Sequence, residues 1–261
     1  MARASIYEHF HPDEHHFVDK ALEWVNRVVR YHEERLTDFL DPRQRHILQT
    51  IVNREPDAQA VFFGGYAEAE RTRARIAPAY AVLEGADFDI RVLSITSEDS
   101  RFSGLAHGDF LGAALGLGIK REKIGDIHVG EHQCHMLAAG AIGEFLHLHL
   151  QAVNRVKVMT ELLPLDKLIT VEPRLEELSF TAASLRLDSI VSDVVRLSRA
   201  KVLQPIKAGK CRVNWAVVED PSFRLKAGDV VSLQGFGRFK LLDAEGVTRS
   251  GRYRIRVGRY I

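Results

Sequence analysis

Apolar residues recur along this chain with two different periods, and each change of period marks an expected change of element. In residues 13–40, after Pro12-Asp13, positions Phe17, Leu22, Val25, Val28 and Val29 stand at near-helical spacing with charges between them, which predicts one long helix. Asp41-Pro42 interrupts it, and 43–52 reads as a second helix with Ile47, Leu48 and Ile51 inward. Residues 61–65 form a short apolar strand ending in a glycine turn, 67–76 reads as helical, and Pro78 closes that stretch. Beyond it, 80–83 and 88–95 read as strands around Gly85-Ala86-Asp87, and 108–117 as a compact helix of Ala, Leu and Gly. Two short strands (127–129 and 134–138), a helix (142–152) and an alternating strand (155–162) follow. The order β-β-α-β-β-α-β predicts an α+β fold with helices on one sheet face, close to a ferredoxin-like or RRM-like plan. The aromatic-rich strands on which an RRM stacks bases are not visible.

A stretch with Pro164, Glu172, Pro173, Glu176 and Glu177 reads as a charged linker. After it Leu187, Ile190, Val191, Val194 and Val195 line one face of a helix, and Ser198 stands as the N-cap of another over 199–207. Pro205 predicts that this second helix is short or kinked, and Gly209 stops it. Residues 211–213 and 216–218 read as strands joined by an Asn214-Trp215 turn, with 230–233 as a third. Residues 249–257 alternate Arg with Tyr, Ile and Val, so a strand there would present one basic edge. Those charges suit either an extended polyanion surface or an edge strand protected from aggregation. The expected organisation is three small domains: an α-rich 1–77, an α+β 78–165, and 180–261 built as two helices on a small sheet with a basic extension.

Charge sharpens this division. The net charge of +1 conceals 16 Lys/Arg against 7 Asp/Glu from Thr181 to Ile261, and 20 against 28 in residues 1–180. A basic C-terminal module on an otherwise acidic chain is expected to meet a polyanion. The two cysteines, Cys134 and Cys211, are far apart and outside any CxxC pair, which argues against a disulfide framework or a common zinc site and fits a reducing cytoplasm. No apolar run reaches 18 residues, and the start, Met1-Ala2-Arg3-Ala4-Ser5-Ile6, leads into a charged, His-rich segment, so neither a membrane span nor a signal core is expected.

The run RLDSIVSDVVRLSRAKVLQPIKAGKCRVNWAVVEDPSFRLKAGDVVSL, from Arg186 to Leu233, closely resembles the S4 domain of ribosomal protein S4, tyrosyl-tRNA synthetases, pseudouridine synthases and heat-shock ribosome-binding proteins. About fifty residues agree in register, far more than a three-residue pattern offers. The resemblance implies RNA binding. The residues that suit that task are Arg186 at the first helix, Ser198, Arg199, Lys201 and Lys207 around the second, and Lys210, Arg212 and Asn214 at the turn into the sheet. The helix start near Ser198 offers free N–H groups and a positive dipole to a phosphate. Such groups track a phosphate backbone with little base reading. Arg238, Lys240, Arg252, Arg254 and Arg256 are candidates for additional RNA contact.

The segments FLDPRQRHIL, FFGGYAEAERTRARIAPAY and GDFLGAALGLGIKREKIGDIHV extend the resemblance over the whole chain, to the YlmH-type bacterial S4-domain proteins. That likeness implies binding to ribosomal RNA on the large ribosomal subunit, with tRNA as a further partner, a role in stalled translation, and an association with cell division. One departure is Ala106-His107-Gly108-Asp109-Phe110, where a more basic His-Arg-Asp-Phe pattern is associated with the family. It argues against a phosphate contact at that point.

An RNA-modifying enzyme is the principal rival, because S4 modules are often joined to pseudouridine synthases or methyltransferases. The Asp of RLD belongs to the S4 helix, no glycine-rich cofactor loop follows a first strand, and the 180 residues ahead of the module are few for either enzyme. No catalytic residue and no cofactor is therefore expected. His128, His132, Cys134, His135, His147 and His149 invite a metal, yet His147 and His149 would lie on different helix faces and no HExxH is present. GAALGLG at 112–118 lacks a GKS/T ending and reads as helix packing by small residues. A cell-division adaptor remains a third reading.

Overall fold

The computed structural model describes residues 4–244, 246, 248 and 251–260. The expected features at Met1–Arg3, Arg249 and Ser250 lie outside these. The described residues gather into two compact units, one of His16–Glu172 and one of Met1–His15 with Pro173–Ile261.

A one-turn helix, Ala4–Tyr7 (α1), precedes His15–Tyr31 (α2), which buries Val18, Ala21, Trp24, Val25 and Val28 at helical spacing. The helix expected over 13–40 stops at Tyr31. His32 takes a left-handed φ of 56°, and Arg35–Leu40 (β1) is a strand. Asp41 then caps Pro42–Val52 (α3) through a reciprocal box: Gln44 N–H donates to Asp41 Oδ1 at 2.8 Å and Asp41 N–H to Gln44 Oε1 at 3.0 Å. Ala58–Phe63 (β2) and Thr72–Pro78 (β3) complete a sheet of order β1-β3-β2. The helix expected over 67–76 is thus absent: 67–71 are turn and bend, and 72–76 belong to β3. Ala, Glu and Arg favour helices in isolation, but β3 is paired on both sides, and that pairing outweighs propensity. The strand expected over 80–83 is a turn, with Tyr80 and Val82 exposed.

Near its start β3 carries a buried charge, Arg73, which its partners make tolerable. Its guanidinium is buried and donates to the carbonyls of Thr37 (2.8 Å), Phe88 (2.8 Å) and Asp89 (2.7 Å). Arg71 likewise donates to Ile124 and Phe39 carbonyls, and burial with the neighbouring Arg71 guanidinium pushes Arg121 down to about 10. Two arginines of one strand region are therefore structural ties rather than surface charge.

Ile90–Thr96 (β4), His107–Gly116 (α4), Ile124–Val129 (β5), Gln133–Ala139 (β6), Gly140–His149 (α5), a small hairpin of Ala152–Val153 (β7) and Val156–Lys157 (β8), and Met159–Leu163 (β9) follow. The antiparallel order β5-β6-β4-β9 with helices after β4 and β6 is the ferredoxin-like β-α-β-β-α-β plan. Leu93, Ile95, Cys134, Met136 and Ala138 face Phe110, Ala114 and Leu146 of the helices. The opposite sheet face, where an RRM would stack bases, is covered. Val92, Ile90 and Leu137 pack with Phe39, Phe63, Leu165 and Leu168. The segment after β9 is held there by two cross-strand histidines: Ile169 N–H donates to His135 Nδ1 (3.0 Å) and Val171 N–H to His128 Nδ1 (3.1 Å).

In the other unit Leu175–Ala182 (β10) begins within the stretch expected to be linker. Leu187–Val195 (α6) ends at Arg196 in a left-handed cap, and Arg199–Lys207 (α7) contains Pro205 and stops at Gly209, φ 68°. Cys211–Val213 (β11), Ala216–Val217 (β12), Val230–Leu233 (β13), Gly237–Asp243 (β14) and Tyr253–Tyr260 (β15) join β10 in a six-stranded antiparallel sheet, β10-β15-β14-β13-β11-β12. One face packs on the helices: Val213, Val231, Phe239, Leu241, Ile255 and Val257 enclose Leu187, Ile190, Val191, Val202 and Ile206. The arginine-rich β15 lies between β10 and β14, so the edge-protection reading is corrected: its charges do not guard an open edge.

Candidate nucleic-acid interface

The sequence Arg-Leu-Asp starts α6 so that Leu187 points into the core and Asp188, also buried, points back toward both helix starts. Asp188 is the hub. Arg186 Nε and Nη2 donate to its two oxygens at 3.1 and 3.2 Å, and Arg199 Nη2 donates at 2.7 Å. Burial alone would raise this carboxyl, but the hydrogen bonds from Arg186 and Arg199 prevail and hold it below the usual carboxylate range. The Asp188 side chain is 6% exposed, whereas Arg186 and Arg199 are 43% and 54% exposed. One buried carboxylate thus fixes two half-exposed guanidinium groups at adjacent helix N-termini, where each keeps donors for an anion.

Ser198 caps α7 by accepting Lys201 N–H at 3.4 Å, so its oxygen already has a structural role. Lys201, Lys207 and Lys210 are exposed on α7 and the turn that follows. Asn214 and Trp215 form a two-residue hairpin turn with φ of 48° and 66°. Both ends of the Asn214 amide work inside the protein: Nδ2 donates to Asp229 at 2.9 Å and Oδ1 accepts Val230 N–H at 2.9 Å. Arg252 is tied to Thr181 through its hydroxyl (3.1 Å) and carbonyl (2.7 Å).

Strand register separates the remaining candidates from this helix face. Arg212 pairs across Ser232 with Arg238, and Arg238 stands in the row of Tyr260, while Lys240 pairs with Gly258. Arg254 and Arg256 alternate with the buried Ile255 and Val257. These five cations occupy the sheet face opposite α6 and α7. Sequence reading did not single out Asp188 as the hub, nor the rings beside Arg238, whose guanidinium carbon lies 4.1 Å from the Tyr260 ring centre and 5.8 Å from that of Trp215. A turn carrying Trp where Gly is usual was the available signal.

At the Ala106–Phe110 departure, Asp109 accepts Ala106 N–H at 2.8 Å and Asn154 Nδ2 at 2.7 Å, and these bonds lower its pKa. A carboxylate therefore occupies the start of α4. Among the described residues no group of three or more His, Cys, Asp and Glu side chains is gathered as a metal site, and no helix is long and apolar enough to cross a membrane.

Two helices with paired arginines at their starts, laid on a sheet with a basic outer face, define an S4-type RNA-binding module, and the comparisons agree. The S4 domain model matches residues 185–231, that described as "Putative RNA-binding domain in YlmH" matches 84–167, and "YlmH, N-terminal" matches 13–81. A Bacillus subtilis (strain 168) protein named ribosome-associated protein quality control protein P2 is 37% identical over 252 residues, covering 97% of each chain. The solved structure of cell division protein ylmH from Streptococcus pneumoniae aligns with a TM-score of 0.53 and 26% identity, over 60% of this chain and 95% of that one. This chain belongs to the YlmH family of S4-domain RNA-binding proteins.

Proposed function

We propose that the chain is a non-catalytic cytoplasmic protein that docks on structured ribosomal RNA of the large subunit, with tRNA as a second contact, during the handling of stalled translation. The observation that carries this reading is the Asp188-held pair Arg186 and Arg199. Preordered guanidinium groups beside a helix dipole engage phosphates without first losing side-chain freedom. Ser198, Lys201, Lys207, Lys210 and Asn214 continue that surface, with Arg252 at its margin, whereas Arg212 belongs to the opposite sheet face. The segments 1–77, 78–165 and 180–261 act as three functional parts, the last providing the RNA affinity. The name of the Bacillus relative supports the ribosomal setting.

Co-sedimentation of the wild type and Arg199→Glu/Lys207→Glu/Lys210→Glu with purified ribosomal subunits over a salt series tests this. The expected result is wild-type binding to the large subunit that weakens with salt and is lost in the variant. Equal binding of both proteins, or none, overturns it. The name of the Streptococcus structure favours a second reading, a division-complex adaptor, which predicts binding to division proteins in the absence of ribosomes.

A further inference from the structure

We infer that the outer face of the six-stranded sheet is a second RNA surface, distinct from the helix face, which takes single-stranded RNA by stacking bases on a Trp215–Arg238–Tyr260 row. Register places Arg212, Ser232, Arg238 and Tyr260 side by side across four strands, with Lys240 one step along. The Arg238 guanidinium stands 4.1 Å from the Tyr260 ring centre and 5.8 Å from that of Trp215, so rings and guanidinium form a connected row. Gly258, beside Lys240, makes room on this face for Leu175, which comes within 2.9 Å of the place a Cβ would take. The carboxylates that share this face are Glu177, paired with Gly258 on the edge strand, and Asp243, 4.0 Å from Arg256.

Trp215 supplies an independent argument. It holds φ 66° at the second position of a two-residue hairpin turn, after Asn214 at 48°. Asn-Gly is the natural pair for such a turn, because a side chain at this backbone angle is strained. A half-buried indole kept there against that strain, at the rim of a basic sheet face, fits a functional demand better than a folding one. Stacking rings among cations that follow a phosphate chain are the chemistry of single-strand binding, tolerant of sequence and selective against duplex, whose bases have no free faces. Arg238, Lys240, Arg254, Arg256 and Tyr260 all lie beyond the matched S4 segment 185–231.

This inference rests on the RNA-binding reading above but fails separately from it. The full chain would be titrated with a labelled oligouridylate of about twelve nucleotides, single-stranded or annealed to oligoadenylate, following anisotropy and tryptophan emission. Trp24 is buried, so quenching on binding reports Trp215. The expected result is preferential single-strand binding with quenching. Trp215→Gly should weaken it roughly ten-fold while leaving subunit co-sedimentation unchanged and the melting temperature undiminished, since glycine suits the turn. Trp215→Phe should bind within about three-fold of the wild type. The helix-face triple variant should keep most of the oligonucleotide affinity. Should the glycine variant not fold, Arg212→Glu/Arg254→Glu carries the test, with oligonucleotide binding lost and subunit binding kept. Wild-type affinity in either variant, or duplex bound as well as single strand without quenching, overturns the inference whatever the ribosome assay shows.

Discussion

Replacing Asp188 by Asn keeps its shape and removes its charge, and two views of the interface then predict opposite signs. If the module acts only as a cloud of positive charge, losing a carboxylate 2.7 Å from Arg199 and 3.1 Å from Arg186 tightens RNA binding. The gain is about two-fold for a phosphate some two side-chain contacts away in water-like screening. If Asp188 preorders the two guanidinium groups, its loss frees both. Each long side chain that must be ordered on binding weakens it by about two- to ten-fold. The net expectation for Asp188→Asn is therefore weakening of roughly two- to fifty-fold, with the slope of log affinity against log salt unchanged because the number of phosphate contacts is the same. Anisotropy with a ribosomal RNA fragment, at matched salt and with the fold checked by circular dichroism, reads this directly. Binding equal to or tighter than the wild type refutes preordering. Because Asp188 is held below the ordinary carboxylate pKa, its stabilising contribution is present above about pH 4 and is lost only as pH falls through its folded value. Assays between pH 6 and 8 thus see an intact clamp.

Arg73→Ala leaves the carbonyls of Thr37, Phe88 and Asp89 without their buried donor and should cost about 3 kcal/mol in urea unfolding, with Arg73→Lys a poor substitute; a loss under about 1 kcal/mol argues against the tie. His135 has its pKa lowered by burial and by the adjacent His128, so the unfolded chain binds the proton more readily. The stability it contributes is present above about pH 6.5 and lost as pH falls below that. The protection factor of the Ile169 amide, its exchange rate corrected for the intrinsic pH dependence, should accordingly fall as pH drops from 7.5 to 5.5, and His135→Asn, which keeps an acceptor without titrating, should flatten that response. Burial pushes the Cys211 thiol up to about 12 and raises Cys134 also, so neither should react with a thiol reagent at pH 8 until the chain unfolds; labelling of the native protein contradicts this.

Parts of this architecture were legible in the residues because local signals agreed with the final packing. Asp41-Pro42 marked a break ahead of a second helix, Ser198 an N-cap, Gly209 a stop, and the apolar stripe of 187–195 one helix face. Where local preference and tertiary pairing disagreed, the reading failed. Residues 72–78 have the composition of a helix but lie between two strands, and 35–40 continue a helical pattern although they form the edge beside them. The charged start of β10, with Glu176 and Glu177, looked like linker because its apolar residues are few and spaced, enough for an edge strand once β15 is beside it.

Residue identity and spacing along the chain were enough to reveal the S4 register, the basic C-terminal third and the family. Which charges work together depends on the folded chain. Asp188 gathers Arg186 and Arg199 across eleven residues, and β-pairing brings Arg238 to Tyr260 and Trp215 while turning it away from Arg199. Folding also engaged the part-buried Arg71 and the buried Arg73 as internal ties and covered the ferredoxin-like sheet that a base-stacking reading would have used. The physical reason is that a charge's role depends on its burial and partners, and both are fixed by contacts between residues far apart in the chain.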